Sequence, residues 1–426
     1  MLNKDDTLLN ELLSDENLKI AKQRVKKNKG ASGIDGMKVK ELDDYLYKHL
    51  DEIKEQIRNK KYCPKPVKRV EIPKPDGGVR NLGVPTVVDR FVQQAIAQVL
   101  TPIYEPKFSE SSYGFRPDRC CEMAILKVLE FMNDGYQWVV DIDLEKFFDN
   151  VSHDKMISLI MKDVKCGEIV SLINKFFKSG IMIDDEYKES VIGTHQGGNL
   201  SPLLSNIMLD QLDKELEARG LRFTRYADDC IILVGSSKAA DRVMKNVSMF
   251  IENKLGLKVN MTKSKVSKPN DIKYLGFGFF KDKNDGLWKA KPHAKSVEKL
   301  KLKLKKLTSR RWSISMDERL EKIKKAIVGW TNYYKIGYWK NIARVIDAHV
   351  RFRLRMCIWK QWKKVGTKKK ALIRLGVPKR EAWMLANSRK AYARCASSFL
   401  NNVITNKRLK EKGLVSLLDQ YNLKHC

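Results

Sequence analysis

The sequence lacks the residue patterns of three common protein classes. Its eight cysteines include no Cys-x-x-Cys pair and no regular spacing, which excludes a zinc ribbon and a disulfide framework. Its six histidines include no His-x-x-x-His pattern, which excludes a histidine-built metal site. No apolar run approaches the roughly 20 residues that span a bilayer, and residues 1–6 contain no apolar signal core. These absences predict a cytoplasmic protein with no membrane partner.

Acidic residues are scarce in the last third of the chain. Residues 286–426 contain 37 Lys and Arg against 8 Asp and Glu, which gives a net charge of +29 of the +32 carried by the whole chain. Residues 1–285 contain 46 against 43 and are nearly neutral. Because so basic a segment repels itself unless a polyanion neutralises it, the charge predicts a nucleic-acid partner, with a membrane surface as the alternative.

The first two thirds of the chain combine helical and extended patterns. Periodic apolar residues over 8–60 predict two helices around a glycine-rich loop, and two extended runs around an Asp-Gly-Gly turn at 70–82 predict a hairpin. A helix is expected from about Thr86. Further strands are expected at 137–144, 223–234, 258–266 and 273–280, with mostly helical patterns between the first two. The 426 residues are enough for two or three domains, of which the first is of mixed α+β class and ends near residue 285.

The remaining third is helical and basic. From Ser296, a candidate N-cap, apolar residues recur at helical spacing while lysines fill most other positions, so we expect an amphipathic helix with a cationic face. The pattern recurs over 323–334 and 350–362. The run 363–370 is expected to be a charged linker before a last small helical piece.

Two adjacent acids interrupt the strand pattern at 223–234. Asp228 and Asp229 follow Tyr226 and precede four apolar residues. Adjacent acids in an apolar context are costly unless cations compensate them, which favours a tight turn that presents both carboxylates to metal. The alternative for these residues alone is a solvated Asp-Asp hairpin turn.

A second group of acids lies in the strand pattern at 137–144. Asp141 and Asp143 share one strand face because side chains alternate with period two, so one of them is a candidate to join Asp228 as a metal ligand. The alternative is a strand edge whose charged residues face water. Transfer of a nucleotidyl group from a triphosphate requires cations held by such carboxylates, and Mg²⁺ is the natural choice.

Five segments follow one another along the chain: Tyr113 to Pro117, Asp143 with Phe148, Gly193 to Asn206, Tyr226 to Asp229 and Tyr274 to Phe277. In content and order they resemble the motifs of group II intron-encoded reverse transcriptases, also called maturases, and the chain resembles the compact bacterial kind that lacks the endonuclease domain. The resemblance implies a right-hand polymerase with fingers, a palm built on an antiparallel sheet, a helical thumb and a small basic C-terminal segment. It implies that Asp143, Asp228 and Asp229 are catalytic and bind two Mg²⁺ ions.

The resemblance also implies the residues that bind the nucleotide. Phe148 would occupy the space of a ribose 2′ hydroxyl and so select deoxynucleotides. Lys74 and Arg80 would fold over the triphosphate, and Lys263 is a further candidate for phosphate contact. The remaining candidates are Gln196, which can hydrogen-bond the nucleotide or a nearby base, and Gly197, which lets the backbone approach a ligand. The alternative for the glycines is a simple loop, and the alternative for Lys74 and Arg80 is an exposed basic hairpin. The sequence departs from the family at His195, where the family usually has proline.

The domains implied are fingers and palm over 1–285, a thumb (domain X) over 286–370 and a DNA-binding tail over 371–426. Residues 327–334 resemble the thumb motif of the family.

The implied function is an RNA-directed DNA polymerase that copies its parent group II intron RNA and assists intron splicing and mobility. Its partners would be that RNA, an RNA template with a DNA primer, target DNA and deoxynucleoside triphosphates, in a cytoplasmic ribonucleoprotein or at the nucleoid. The alternatives are a non-catalytic RNA-binding splicing chaperone and a non-intron bacterial reverse transcriptase of the retron or phage-defence type.

Overall fold

The structure of the chain is a computed structural model that describes residues 4–73, 77–184, 186–189, 193 and 197–425. The chain divides into two compact units, Met1–Lys268 and Pro269–Cys426. The functional boundary expected near residue 285 remains a prediction.

Within the described residues, the first unit contains ten α-helices. Helix starts follow the sequence: Ser14 accepts a hydrogen bond from the Asn17 backbone N–H, and Thr86 accepts one from the Asp89 N–H, so both act as N-caps. The cap at Ser14 separates a first helix from a second one, which is why three helices form in the stretch where two were expected. The helices are α1 Lys4–Leu12, α2 Asp15–Asn28, α3 Leu42–Arg58, α4 Val87–Tyr104, α5 Cys121–Asn133, α6 Phe147–Asn150, α7 His153–Asp163, α8 Gly167–Phe177, α9 Ser201–Ala218 and α10 Ser237–Phe250.

Eight strands in the described part of this unit form two sheets. The strands are β1 Val67–Pro73, β2 Val79–Val84, β3 Trp138–Ile142, β4 Ile181–Ile183, β5 Glu186–Lys188, β6 Arg222–Tyr226, β7 Asp229–Val234 and β8 Lys265–Ser267. The first sheet has the order β2-β1-β4-β5, in which β1 and β2 are the expected hairpin. The second has the order β6-β7-β3-β8 and is antiparallel throughout. We call this second sheet the palm sheet.

One face of the palm sheet is apolar and packs against the core of the first unit. Val140 and Ile142 on β3 share that face with Ile232 on β7, and all three are buried in the core of the unit. The long helix α9 contributes Leu209 and Leu212 to the same core. Because side chains alternate along a strand, Asp141 points to the opposite face. The strand expected over 258–266 is shorter than predicted, since only β8 pairs with β3 and Val259 makes an isolated bridge to Leu144.

The second unit contains a strand hairpin followed by helices. Its elements are β9 Phe277–Lys281, β10 Trp288–Pro292, α11 Ala294–Leu307, α12 Met316–Tyr333, α13 Lys340–Gln361, α14 Val365–Arg374, α15 Lys379–Ala386, α16 Tyr392–Ser397, α17 Phe399–Val403, α18 Asn406–Glu411 and α19 Leu417–His425. The indole of Trp339 is buried, donates a hydrogen bond to the Tyr334 carbonyl at 2.8 Å and packs edge-on against Tyr421. The sheets and helices of the first unit, followed by the basic helices of the second, confirm the predicted α+β class with an antiparallel sheet.

Three local predictions in this unit were wrong. The expected strand over 273–280 begins only at β9, because Leu275 and Gly276 both have positive φ and form a tight turn between Tyr274 and Phe277. Helix α11 begins at Ala294 with His293 as its N-cap, while Ser296 lies inside the helix and donates to the Gly276 carbonyl. The expected linker 363–370 is largely helical, since α14 starts at Val365.

No helix in the described part of the chain is long and apolar enough to cross a membrane.

Candidate active site

The two adjacent aspartates lie at the hairpin turn between β6 and β7. Tyr226 pairs with Asp229 across the hairpin, so Ala227 and Asp228 form the turn itself. Ala227 is buried and has a φ of 58°, a left-handed conformation that costs an alanine about 1 kcal/mol. Asp228 is half-buried and Asp229 is exposed. A turn that presents both acids, as the sequence predicts, is therefore present at one end of the palm sheet.

Asp143 lies at the same end of this sheet. The last pair in the β3–β7 ladder joins Ile142 to Cys230, so the next residue on each strand, Asp143 and Asp229, continues past the ladder at the same edge. The Asp143 N–H donates to the Ser264 hydroxyl at 3.0 Å, and its carbonyl accepts from the Asn260 N–H at 2.8 Å. The backbone of Asp143 is thus fixed by the segment that leads into β8.

That same segment places a cation beside Asp143. The Lys263 ammonium lies 4.0 Å from a carboxylate oxygen of Asp143, and both side chains are partly exposed. An exposed pair at this distance contributes little to stability, about 1 kcal/mol or less. Its importance is its position, because it brings a positive charge to the edge where the aspartates lie.

Asp141 lies two residues deeper in the palm sheet than Asp143. Burial raises the pKa of Asp141 to about 6, with a further rise from the nearby Asp143 carboxylate and an opposing effect of Lys265. Lys265 is also its register partner on β8. The environment of Asp141 therefore differs from that of the residues at the edge.

Phe148 is on α6, the short helix that follows β3. The neighbouring Phe147 is buried and packs edge-on against Phe148, with ring centroids 5.1 Å apart. Phe148 itself is only partly buried. Phe147 thus anchors the helix in the core and leaves part of the Phe148 ring accessible.

Gly193 packs directly against the backbone of α6. It has a φ of 100°, and a Cβ atom added to it would lie 2.9 Å from the Asp149 carbonyl oxygen and 3.0 Å from that of Phe148. Its N–H donates to the Val151 carbonyl, and its own carbonyl accepts a 2.6 Å hydrogen bond from His153 Nε2. Only glycine fits this contact, which fixes residue 193 to the helix that carries Phe148.

Gly197 and Gly198 also lie very close to neighbouring atoms. Gly197 has a φ of 122°, and a Cβ there would lie 2.6 Å from the carbonyl oxygen of Gly83 on β2. A Cβ on Gly198 would lie 2.6 Å from the Gln93 side-chain oxygen. These close approaches are made to β2 and α4, whereas the approach to a ligand expected at Gly197 remains a prediction. Gln196 and His195 lie outside the described residues.

Arg80 lies on the same strand as Gly83. It is exposed and pairs with Ile72 across the hairpin. Lys74, expected near it across the turn, lies outside the described residues. Gly197 therefore contacts the strand that carries Arg80, at Gly83, three residues after the arginine.

The donor chemistry of the site suits a hard cation, because carboxylate oxygens are the ligands that Mg²⁺ prefers. In the described ranges, however, no three His, Cys, Asp or Glu side chains form a group compact enough to hold a metal ion. The ladder brings Asp143 to the edge where Asp228 and Asp229 lie, but the three carboxylates are not close enough together to form a complete metal site.

Several residues that shape this site were missed by reasoning from the sequence. They include His153, Ser264 and a buried charged pair, Arg225 and Asp213, beneath the turn. For Arg225 the sequence did offer one indication, because an arginine within a strand of buried residues requires a partner of opposite charge. The partner itself is on α9, and its identity depends on how the helix crosses the sheet.

Two family models match the chain. Residues 72–279 match "Reverse transcriptase (RNA-dependent DNA polymerase)", and residues 297–376 match "Group II intron, maturase-specific domain". The fold and the paired models define the reverse transcriptase class of proteins. The chain belongs to the family of group II intron-encoded reverse transcriptases and maturases.

Named relatives include intron-encoded proteins. The chain is 37% identical over 213 residues to "Group II intron-encoded protein LtrA" of Lactococcus lactis subsp. cremoris, a match that covers 50% of this chain and 35% of LtrA. It is 31% identical over 284 residues to "Protein YkfC" of Escherichia coli, covering 57% of this chain and 74% of that protein. It is 28% identical over 332 residues to "Putative COX1/OXI3 intron 2 protein" of Saccharomyces cerevisiae, covering 64% and 39%. The matched region thus spans about a third of LtrA.

Proposed function

We propose that this protein is an RNA-directed DNA polymerase that copies its parent group II intron RNA. The observation that carries the proposal is the placement of Asp143 at the same end of the palm sheet as the turn with Asp228 and Asp229. This arrangement lies within the segment that matches the reverse transcriptase model. A solvated turn would not require a second acid fixed at the same edge by two backbone hydrogen bonds.

In this proposal Asp143, Asp228 and Asp229 would hold two Mg²⁺ ions. When bound, such ions activate the primer 3′ hydroxyl and stabilise the departing pyrophosphate. Lys263 would add positive charge near the triphosphate, together with Arg80 and Lys74 from the hairpin. Phe148 would exclude the ribose 2′ hydroxyl, with Gln196 and Gly197 positioning the nucleotide.

The second unit would bind structured intron RNA and so assist splicing and mobility. In α11 the apolar Val297, Leu300 and Leu304 are buried, whereas the lysines are exposed, which confirms the predicted cationic face. The exposed lysines are Lys295, Lys299, Lys301, Lys303, Lys305 and Lys306. A cationic helix face suits a phosphate backbone and implies strong salt dependence. Target DNA is the proposed partner of the tail over 371–426, and the bacterial cytoplasm the proposed location.

Primer extension on an RNA template with dNTPs and Mg²⁺ tests the polymerase activity. The double substitution Asp228→Asn and Asp229→Asn removes both charges at nearly constant volume and should reduce extension by about a thousandfold, the effect of losing several kcal/mol of charge stabilisation. The matched control is Asp241→Asn on α10, an exposed acid that should leave extension unchanged. Equal extension by the double variant and the wild type would show that the catalytic assignment is wrong.

A splicing assay with the parent intron separates the remaining alternatives. The double variant should still promote splicing, because the proposed RNA-binding surface lies in the second unit. A wild type that promotes splicing but extends no primer would be a non-catalytic splicing chaperone. A wild type that extends primers and leaves splicing unchanged would be a reverse transcriptase of the non-intron type, although the match at residues 297–376 favours an intron partner.

A further inference from the structure

A fully buried arginine lies directly beneath the turn that carries Asp228 and Asp229. Arg225 is the penultimate residue of β6, and its side chain is completely inaccessible to solvent. Burying a guanidinium is costly unless each of its five N–H donors finds an acceptor. A β-strand requires no charged residue at this position, so strand formation by itself does not account for the buried arginine.

The main partner of Arg225 is Asp213 on α9, which is equally buried. Nε donates to one carboxylate oxygen at 2.7 Å and Nη2 donates to the other at 2.5 Å, which makes the pair bidentate. This geometry matches the fork of a guanidinium to the two oxygens of a carboxylate. It also connects β6, the strand that leads into the turn, to helix α9.

The other three donors of Arg225 reach the surroundings of the turn. Nη1 donates to the Ala227 carbonyl at 2.9 Å and to Asn206 Oδ1 at 3.0 Å. Nη2 donates to the Ser112 hydroxyl at 2.8 Å. All five donors are therefore used, and one of them holds the peptide group that joins Ala227 to Asp228.

A second contact holds the same turn from the side of Gly114. The Asn206 amide donates to the Gly114 carbonyl at 2.9 Å, and a Cβ atom on Gly114 would lie 2.2 Å from the Ala227 nitrogen. The neighbouring Tyr113 N–H donates to the Arg225 carbonyl, and the Arg225 N–H donates to the Ser111 carbonyl. The turn is thus confined between the arginine and the 111–114 segment.

We infer that Arg225, paired with Asp213 and Asn206, is a positioning residue that holds the Ala227 carbonyl and thereby sets where Asp228 presents its carboxylate. This inference rests on the proposed polymerase function. A bonded carbonyl stabilises the left-handed conformation of Ala227, which is unfavourable for an alanine and would otherwise relax. A lysine can keep the charge and one carboxylate contact, but its single ammonium cannot replace a planar fork that bonds four groups at once.

The test compares Arg225→Lys with Gly114→Ala. The first removes the fork, and the second pushes on the Ala227 nitrogen while the buried ion pair remains intact. Both should reduce kcat for primer extension at saturating dNTP at least tenfold, with KM for dNTP changed less than threefold. Both should also raise the Mg²⁺ concentration that gives half-maximal activity, because the carboxylate is displaced.

A readout independent of activity is Mn²⁺ binding to the complex of protein, primer and template, followed by electron paramagnetic resonance. Both variants should bind Mn²⁺ at least fivefold more weakly than the wild type while binding the RNA template within twofold. The matched control is Arg319→Lys, a buried arginine of the second unit that donates to backbone carbonyls and should leave the Mn²⁺ affinity unchanged.

Wild-type kcat and Mn²⁺ affinity in both variants would overturn the inference. If Arg225→Lys fails to fold, Gly114→Ala decides alone by the same two measurements. An active wild type with unaffected variants overturns this inference and leaves the proposed function standing. A wild type that binds RNA but extends no primer overturns the proposed function and this inference with it.

Discussion

Replacing Gly193 by alanine should disturb the helix that carries Phe148. The new Cβ would lie 2.9 Å from the Asp149 carbonyl oxygen and 3.0 Å from that of Phe148, both of which are backbone atoms and cannot rotate away. The φ of 100° adds strain of about 1–2 kcal/mol for a residue with a Cβ, and overpacking adds about 1–3 kcal/mol. We therefore expect a loss of about 2–5 kcal/mol in the free energy of unfolding.

Gly220→Ala separates the two contributions. Gly220 lies in the same unit and has a φ of 64°, but nothing lies within 4 Å of the position that its Cβ would take. Its substitution should cost only the conformational strain, about 1 kcal/mol. Urea unfolding followed by circular dichroism measures both variants in the same unit.

The functional consequence concerns sugar selection. If Gly193→Ala shifts the backbone of Phe148, the ring no longer closes the space of the 2′ hydroxyl, and the ratio of dNTP to rNTP incorporation should fall. Gly220→Ala should retain the wild-type ratio. Equal losses of stability in the two variants, together with an unchanged ratio in Gly193→Ala, would refute the steric reasoning.

Three further predictions concern the nucleotide and the RNA. Phe148→Ala should raise the relative kcat/KM for rNTPs by about tenfold to a hundredfold in single-nucleotide extension, and unchanged sugar selectivity would contradict the gate. Lys263→Met keeps the length of the side chain but removes its charge, so KM for dNTP should rise roughly threefold; a KM equal to that of the wild type would place the lysine outside the triphosphate site. Replacing Lys301, Lys303 and Lys305 by glutamine should reduce the slope of log Kd against log salt for intron RNA by about 1 per lost phosphate contact; an unchanged slope would place the RNA on another surface.

Lys412→Gln, Lys424→Gln and Lys390→Gln together provide a control for the last prediction. These lysines are exposed in the second unit but lie on segments other than α11. If they change the slope as much as the α11 variant does, the RNA contact is distributed over the unit rather than concentrated on one helix.

The sequence alone determined the features that depend on local pattern. The hairpin at 70–82, the helix after Thr86 and the amphipathic α11 follow from turn residues, caps and periodicity, which act over a few positions. The placement of Asp228 and Asp229 at a turn was also predictable, because two adjacent acids directly before an apolar run suit few other conformations. The order of five motifs was enough to indicate the family, which the two family models confirm.

Only the tertiary structure decided which distant residues meet. Arg225 and Asp213 are twelve positions apart, but Ser112 joins them from more than a hundred positions away, and Gly193 reaches the helix of Phe148 across two intervening helices. Such contacts are set by how α9 crosses the palm sheet and how loops fold back on it, and no local pattern encodes that geometry. The acids could be read from the sequence, whereas the buried groups that hold their turn required the fold.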